Sequence, residues 1–365
     1  MLFIGAQLPI DQGGATITMG LAVLAVPSRM RIEPLNTLTL RAPGRLHLGF
    51  LDPSGSLGRR FGSIGLVVDG FETEVELSAA LADRITADTP EADAQIERAS
   101  AHVQTLRARS GRAQPLHLRL LRVLPSHAGF GSGTQLALAI GRAFARWHEL
   151  DVATPTLAHW LGRGLRSGIG IHGFDHGGLL VDGGPGADGQ PAPLLSRIAL
   201  PGAWRIVVVQ DERGRGLAGA DEKAAMAALS PMPAAHAAEI CHEVLMRVLP
   251  GAAGAEFDAF AHGVSRVQQL LGAHYAPAQQ GRAYTSAAVG RLMHWAGTAV
   301  EPAAIGQSSW GPTGFAIVAS QARAEALVSG ARAAGLVEPG LTLRIVAARN
   351  RGAEITDARV ARHLR

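Results

Sequence analysis

The sequence predicts an α+β fold with two lobes, and three observations support this fold class. The first part of the chain is rich in strand patterns, with strict alternation of side-chain character at residues 72–77. Helical spacing dominates residues 220–272, and residues 304–348 follow the pattern of a strand, a helix and a strand. Strand-rich segments followed by helix-rich segments are typical of α+β proteins.

The length of the chain also favours two lobes, because 365 residues exceed one average domain. A hydrophobic content of 47% and a charged content of 18% are typical of a folded globular protein. We predict an N-terminal lobe at residues 31–195 and a C-terminal lobe at residues 196–365. Residues 1–30 are expected to be a leader, either disordered or translated from a start codon placed too early. They lack the basic segment of a secretory signal.

Local patterns give the order of the elements. A strand at 37–41 continues into 42–49, and Gly111 ends a helix over 91–110. Asp182, before two glycines, is expected to form a turn. The other predicted elements before residue 195 are strands at 64–68, 72–77 and 116–124 and helices at 136–147 and 154–165. Those after it are a strand at 206–209, helices at 220–229, 234–249 and 256–272, and the pattern at 304–348.

Composition excludes several functional classes. The formal charge is +4 and the basic residues are nearly all arginines, with Lys223 the only lysine. The arginines are spread along the chain without basic runs, so we predict no nucleic-acid partner. No apolar run reaches transmembrane length, so we predict no membrane partner and a cytoplasmic location. A single cysteine, Cys241, excludes an internal disulfide framework, and the histidines lack the spacing of a zinc site.

Residues 125–134 are the most informative stretch, because they form a glycine-rich turn between a strand and a helix. Backbone N–H groups at the start of a helix form an anion site, and phosphate is its commonest ligand. Glycines let the main chain approach such a ligand closely. The alternative is a turn that contains glycine only because it is tight. The candidate binding residues here are His127, Gly129, Gly131, Ser132, Gly133, Thr134 and Gln135.

Basic side chains stand near glycines in two other regions. Arg45 and His47 could complete an anion site, although a surface charge and a structural histidine are equally compatible with the pattern. Arg163 and Arg166 lie among glycines, which favours bidentate capture of an anion, and we take them as candidate catalytic residues. Asp175 is a candidate catalytic residue and magnesium ligand, with a turn aspartate as the alternative.

The C-terminal lobe contributes a third glycine turn, at residues 306–315. Ser308, Ser309 and Thr313 offer hydroxyl groups to a second anion. Trp310 could stack on an aromatic ligand, although closing a core is the commoner role of such a residue. Glu222 is a weaker candidate, since an acidic residue near a helix start also favours the helix dipole.

Glycines punctuate three stretches, at residues 43–49, 125–134 and 306–315, which we call the first, second and third glycine turns. In their order and residue pattern they resemble the motifs of the GHMP kinase superfamily. Within it the chain is most similar to the β-ribofuranosylaminobenzene 5′-phosphate synthase family. The phrases that carry the resemblance are Arg45-Leu46-His47-Leu48-Gly49-Phe50-Leu51-Asp52, Arg60-Phe61-Gly62-Ser63-Ile64-Gly65, Gly131-Ser132-Gly133-Thr134-Gln135-Leu136, Gly162-Arg163-Gly164, Arg166-Ser167-Gly168-Ile169-Gly170 and Gly306-Gln307-Ser308-Ser309-Trp310-Gly311-Pro312-Thr313. Gly216, Gly219 and Glu222 match a further pattern of that family.

The resemblance implies a ribosomal S5 domain 2-like N-terminal lobe, a ferredoxin-like C-terminal lobe and a homodimer. It also implies a pentosyltransferase of methanopterin biosynthesis. The implied substrates are phosphoribosyl pyrophosphate and 4-aminobenzoate or 4-hydroxybenzoate. The implied products are a β-ribofuranosyl-arene 5′-phosphate, carbon dioxide and pyrophosphate, with Mg²⁺ as cofactor. It adds Ser167 and Gln307 to the candidate binding residues.

Two other functions remain open from the sequence. One is an ATP-dependent small-molecule kinase of the GHMP type. Such kinases carry an aspartate in a Ser-Gly-Xaa-Asp phrase, whereas this chain has Gly170 at that place. Asp175 is the residue that could replace it. The other is a sensor that binds a phosphorylated sugar without turnover.

Overall fold

A computed structural model of the chain describes residues 36–186, 189–214, 216, 219–298 and 302–359. The predicted leader, residues 1–30, lies outside the described residues. The strands are β1 (Thr37–Asp52), β2 (Phe61–Ala79), β3 (Arg84–Ala87), β4 (Leu116–Arg122), β5 (Leu179–Asp182), β6 (Leu194–Ile198), β7 (Arg205–Asp211), β8 (Ala304–Gln307), β9 (Thr313–Val318), β10 (Leu341–Val346) and β11 (Glu354–Asp357).

The helices lie between groups of strands, and most of them follow the predicted spacing. They are α1 (Pro90–Asp93), α2 (Ile96–Ser110), α3 (Ser132–Trp147), α4 (Thr154–Trp160), α5 (Ile169–His176), α6 (Gly219–Ala228), α7 (Ala234–Glu243), α8 (Leu249–Gly254), α9 (Phe257–Tyr275), α10 (Ala287–Thr298) and α11 (Gln321–Ala333). Helices α6 to α10 all lie between β7 and β8. A π-helical segment, Val244–Val248, joins α7 to α8, and a 3-10 turn, Ala276–Gln279, follows α9.

The strands form two sheets. The first has the order β11-β1-β2-β4-β3, with β5 paired to β2 and β6 paired to β5. All of its pairs are antiparallel except β3 with β4. The second has the order β10-β7-β9-β8 and is antiparallel. Two sheets with their own helices confirm the predicted two-lobed α+β fold, and no helix of the described ranges is long and apolar enough to span a membrane.

The apolar core consists of three main clusters. One packs α2 and α3 on the first sheet, and another packs α10 and α11 on the second. The third runs from Leu46 and Leu66 of the first sheet, through Phe260 of α9, to Phe315 of the second. This shared cluster explains why the chain from Asn36 on forms one compact unit. The lobe boundary near residue 195 stays a prediction; residue 195 lies inside β6.

The structure corrects several predicted elements. The helix expected at 91–110 is broken into α1 and α2, and Thr89 caps α1 by accepting a bond from Ala92 N–H. The helix expected at 154–165 ends at Trp160, before Gly162 with its positive φ of 67°. The C-terminal pattern contains two strands before its helix, because β8 and β9 form an antiparallel pair. The last strand, β11, returns to pair with β1.

Candidate active site

A cleft of about 750 Å³ lies where the three glycine turns meet. This volume is in the range of small-molecule sites in proteins. Most of the site residues that the sequence predicts line it. They are Arg45, His47, His127, Gly129, Gly131, Ser132, Gly133, Thr134, Arg163, Arg166, Ser167, Glu222, Ser309 and Trp310.

The glycine loop after β4 ends at the amino terminus of α3. Gly131 is the N-cap residue in a left-handed conformation, with φ of 77°, and no side chain caps the helix. The first N–H groups of a helix have no partner inside it, and the helix dipole adds positive charge there. Ser132 and Gly133 line the cleft at this end. The local structure is therefore suited to an anion.

Arg45 lies on β1, in which residues 43–49 form part of a strand, and joins this strand to the glycine loop. Its Nη1 donates to the carbonyl oxygen of Gly129 at 2.6 Å, whereas its Nε is buried and has no partner. Burial lowers the pKa of Arg45 to about 10, and the carboxylate of Glu222 acts in the opposite direction. The guanidinium remains a cation at neutral pH and keeps N–H capacity for a ligand.

Ser308 connects the third glycine turn to the other two. Its Oγ accepts a bond from His47 N–H at 2.9 Å and donates to the carbonyl oxygen of Gly129 at 2.7 Å. Ser309 N–H donates to the carbonyl oxygen of His47 at 3.1 Å. The sequence predicts Ser308 as a binding residue. In the structure it is fully buried, and it supports the wall of the cleft from behind.

His47 is buried at the cleft, with 4% of its surface exposed, and its Nε2 has no hydrogen-bond partner. Burial lowers its pKa well below the usual value, and the positive charges of Arg45 and Arg166 add to this effect. The imidazole is therefore neutral at neutral pH. A neutral, unpaired Nε2 is available to a ligand.

Arg163 and Arg166 lie in the segment between α4 and α5, and both line the cleft. The guanidinium of Arg163 lies beside Gly133, where a Cβ would be 3.5 Å from its Nη1, and burial lowers the pKa of Arg163. Arg166 donates from Nη2 to Glu222 Oε2 at 2.7 Å. Arg166 also contacts the sulfur of Met226, 3.3 Å away. Arg163 and Arg166, predicted to belong to one site, therefore both line the cleft.

A buried network supports Ser167, and the sequence analysis missed its centre. Asp182 is fully buried, and its Oδ2 accepts bonds from the hydroxyls of Ser63 and Ser167 and from Gly168 N–H. The predicted turn role is present too, since Asp182 Oδ1 accepts from Gly184 N–H at 2.9 Å. Asp182 therefore positions Ser167 and the start of α5, a role that the adjacent glycines did not indicate.

Besides Ser308 and Gln307, three predicted site residues do not line the cleft. The side chain of Asp175 is exposed on α5, where its Oδ1 accepts from the Thr154 hydroxyl at 2.6 Å. Gln135 is fully buried and donates from Nε2 to the carbonyl oxygen of Gly170 at 2.9 Å. Thr313 is fully buried at the start of β9, and its carbonyl oxygen accepts from Ser308 N–H. The geometry supports no catalytic or metal-binding role for Asp175.

A smaller cavity of about 30 Å³ adjoins the cleft and shares four of its lining residues. We call it the side cavity, and its lining includes His47, Phe50, Gln268, Tyr275, Gln279, Gln307 and Trp310. The rings of Tyr275 and Trp310 pack with centroids 4.6 Å apart, and only 3% of Trp310 is exposed. Gln307, predicted as a binding residue, thus lines the side cavity.

Sequence reasoning missed further lining residues. Arg60 and Phe61 belong to a phrase that carries the family resemblance, so that phrase was an available signal. The guanidinium of Arg60 lies 4.9 Å from the centroid of the Phe61 ring. Tyr275 and Met226 stand in ordinary helical patterns, and nothing local marks them as site residues.

The charge of the cleft is one-sided. Among the described residues that line it are four arginines, Arg45, Arg60, Arg163 and Arg166, and one carboxylate, Glu222. No group of three or more histidine, cysteine, aspartate or glutamate side chains in the described ranges is arranged to hold a metal ion. The site is therefore suited to an anionic ligand with several negative charges.

Comparisons with known proteins agree with this architecture. The model of the GHMP kinases N terminal domain matches residues 97–179. Homoserine kinase from Cytophaga hutchinsonii superposes with a TM-score of 0.61 at 15% identity, over 88% of this chain and 98% of that chain. Mevalonate diphosphate decarboxylase from Staphylococcus aureus gives 0.61 at 13% identity, with the same shares. At such identities the likeness shows the fold alone.

Sequence relatives are more specific. Beta-ribofuranosylphenol 5'-phosphate synthase of Archaeoglobus fulgidus is 32% identical over 333 residues, which cover 87% of this chain and 99% of the relative. The protein of the same name from Methanothermobacter thermautotrophicus is 28% identical, over 87% of this chain and 98% of the relative. The chain therefore belongs to the beta-ribofuranosylphenol 5'-phosphate synthase family, transferases with the fold of the GHMP kinases.

Proposed function

We propose that the chain transfers a ribosyl 5-phosphate group from phosphoribosyl pyrophosphate to a 4-substituted benzoate, with loss of carbon dioxide and pyrophosphate. The observation that carries this proposal is the convergence of four arginines and the amino end of α3 on one cleft. A donor with a 5-phosphate and a pyrophosphate needs two anion sites, and a benzoate brings a further negative charge.

In this reaction the bond from ribose C1 to the pyrophosphate oxygen breaks, and C1 becomes bonded to the ring carbon that bears the carboxylate. The bond to the carboxylate then breaks, and its electron pair restores the aromatic ring as carbon dioxide leaves. No covalent protein nucleophile is needed. Arg45 and Arg163, which keep buried and unpaired Nε groups, are suited to binding the phosphates, and Arg163 lies next to the helix end.

The proposed reaction includes Mg²⁺, bound to the phosphates of the sugar donor. The described residues offer no cluster of metal ligands, and Glu222, the one carboxylate of the cleft lining, is bonded to Arg166. Mg²⁺ in such sites keeps several waters and is held largely by substrate phosphates. We therefore propose that it enters on the pyrophosphate.

The acceptor we favour is 4-hydroxybenzoate. The relatives are named for a ribofuranosylphenol 5'-phosphate, and loss of the carboxylate from 4-hydroxybenzoate leaves a phenol. The amino analogue, 4-aminobenzoate, is the alternative acceptor. We place the reaction in methanopterin biosynthesis, in keeping with the family resemblance.

The position of Asp175 favours this reaction over the kinase alternative. A GHMP-type kinase needs a group that orients or deprotonates the acceptor hydroxyl. Asp175, the substitute suggested by the sequence, is exposed and outside the cleft lining. Asp182 is buried and accepts bonds from two hydroxyls and two N–H groups, which occupy both of its oxygens.

The test is an incubation of the protein with phosphoribosyl pyrophosphate, Mg²⁺ and each benzoate carrying a labelled carboxyl carbon. The proposal predicts labelled carbon dioxide and pyrophosphate in equal amounts. ADP formation from ATP without labelled carbon dioxide would favour the kinase. Binding of the donor without any turnover would favour the sensor.

A further inference from the structure

The side cavity offers a neutral environment next to a cationic cleft. No arginine, lysine, aspartate or glutamate is among its lining residues in the described part of the chain. Its volume of about 30 Å³ has room for roughly two water-sized groups. A phosphate or a carboxylate would lose its counter-charges there, whereas a small neutral polar group would fit.

The amide side chains of this lining are already engaged. Gln307 donates from Nε2 to Gln279 Oε1 at 2.9 Å and accepts from Thr285 N–H at 2.6 Å. Gln268 donates to the carbonyl oxygen of Leu48 at 2.6 Å and accepts from Gln307 N–H at 2.8 Å. These bonds hold the wall of the side cavity and leave little capacity for a ligand.

Two other buried polar atoms of the lining have no partner. They are Nε2 of His47 and the hydroxyl oxygen of Tyr275. A buried polar atom without a partner destabilises the fold, so two in the lining of one small cavity call for a ligand group that satisfies both. Burial and the two neighbouring guanidinium groups lower the pKa of His47, so the imidazole is neutral. In the tautomer with its proton on Nδ1, Nε2 carries a lone pair.

We propose that the side cavity receives the 4-hydroxyl of the aromatic acceptor, with its O–H donating to His47 Nε2 and the Tyr275 hydroxyl donating to its oxygen. This inference rests on the proposed function and names the residues that choose the acceptor. The ring then lies at the junction of the two cavities, which Phe50 and Trp310 both line. Its carboxylate, at the opposite end, remains among the arginines.

In this arrangement His47 is a catalytic base. When ring carbon 1 bonds to ribose C1, positive charge develops on the 4-oxygen, and its proton moves to His47 Nε2. The resulting ring is a neutral dienone that still bears the carboxylate. When carbon dioxide leaves, the electron pair passes through the ring to the 4-oxygen, which takes the proton back from His47. Protons and electrons balance, and even a weak base suffices because the protonated dienone is a strong acid.

The two acceptors depend on this base to different extents. The nitrogen of 4-aminobenzoate carries the developing positive charge as an iminium and needs no proton transfer before carbon dioxide leaves. An oxygen carries that charge much less well. Loss of the base therefore affects 4-hydroxybenzoate selectively, whereas mere damage to the cleft affects both acids alike.

The experiment compares His47→Gln with the wild type, using labelled carbon dioxide release from both acids. We expect kcat/KM for 4-hydroxybenzoate to fall about 100-fold or more, and kcat/KM for 4-aminobenzoate to fall less than about tenfold. His102→Gln is the matched control, because His102 is also buried with an unpaired Nε2 but lies outside both cavities. Equal losses for the two acids, or none, would overturn the inference.

A second variant covers the case in which His47→Gln does not fold. Tyr275→Phe removes one hydroxyl from the side cavity, and calorimetry gives the dissociation constants of 4-hydroxybenzoate and unsubstituted benzoate. We expect about tenfold weaker binding of 4-hydroxybenzoate and no change for benzoate. Equal changes for both would contradict the inference. A wild-type protein that releases no carbon dioxide from either acid would instead refute the proposed function.

Discussion

At the scale of the residue, a few polar side chains hold distant segments in one site. Ser308 bonds to His47 and Gly129, which lie 261 and 179 positions away from it in the chain. The carbonyl oxygen of Gly129 also accepts from Arg45. The cationic cleft therefore depends on neutral bonds behind its wall as much as on the arginines themselves.

Arg166 is the cleft arginine for which the chain offers the best control. We expect Arg166→Ala to lower kcat/KM for carbon dioxide release on the order of 100-fold, because a preorganised donor to an anionic ligand is lost. Arg266→Ala is the control: Arg266 is also 2.7 Å from a carboxylate, Glu239, and its side chain is 34% exposed, against 33% for Arg166. Wild-type kinetics in Arg166→Ala, with an unchanged unfolding transition, would reject its role.

At the scale of the element, the backbone of the glycine loop before α3 packs closely against the backbone of the third glycine turn. Gly129 has φ of 90°, and a Cβ there would be 2.4 Å from the carbonyl oxygen of Ser308. The third glycine turn can therefore approach the loop only if residue 129 lacks a side chain.

Gly129→Ala tests this close approach. We expect it to lower activity on the order of 100-fold, because an ångström-scale shift misplaces the anion site. Gly111→Ala has the same kind of backbone strain, with φ of 70°, but its Cβ meets no atom within 4 Å. Both variants should lose about 1 kcal/mol of unfolding free energy from the left-handed backbone, with a further loss only in Gly129→Ala. Activity and urea denaturation measure the two effects, and equal behaviour would contradict the argument.

At the scale of the whole molecule, buried neutral histidines make the free energy of unfolding depend on pH. Burial, helped by the charge of Arg163, lowers the pKa of His102 from 6.5 to about 4. As the pH falls below 6.5, the unfolded chain binds a proton that the folded chain does not. Stability is therefore lost between pH 6.5 and about 4, and it is unaffected by this group above pH 6.5.

His102→Gln should remove this contribution. Between about pH 7.5 and pH 5 the wild type should lose roughly 2 kcal/mol more unfolding free energy than the variant. Urea denaturation at the two pH values gives both numbers. Parallel pH dependence in the two proteins would show that His102 titrates normally in the fold.

The whole fold also explains what the sequence could and could not predict. The glycine loop, α3 and the arginines before α5 are local signals, since periodicity and glycine positions mark a strand, a turn and a helix. Tyr275 reaches the side cavity through the packing of α9 against β1 and β8, which leaves no local pattern. Asp175, a candidate from the sequence, lies on α5 outside the cleft lining, and that helix, inside a glycine-rich stretch, was not predicted. The pairing of β11 with β1 is likewise long-range.

The central claim is that one cationic cleft holds the sugar donor at the amino end of α3. The most direct measurement is a crystal structure of the protein soaked with phosphoribosyl pyrophosphate and Mg²⁺. We predict donor phosphates within hydrogen-bond distance of the Ser132 and Gly133 N–H groups and of the Arg163 guanidinium. A donor bound elsewhere, with the segment from Arg163 to Arg166 uncontacted, would contradict the account.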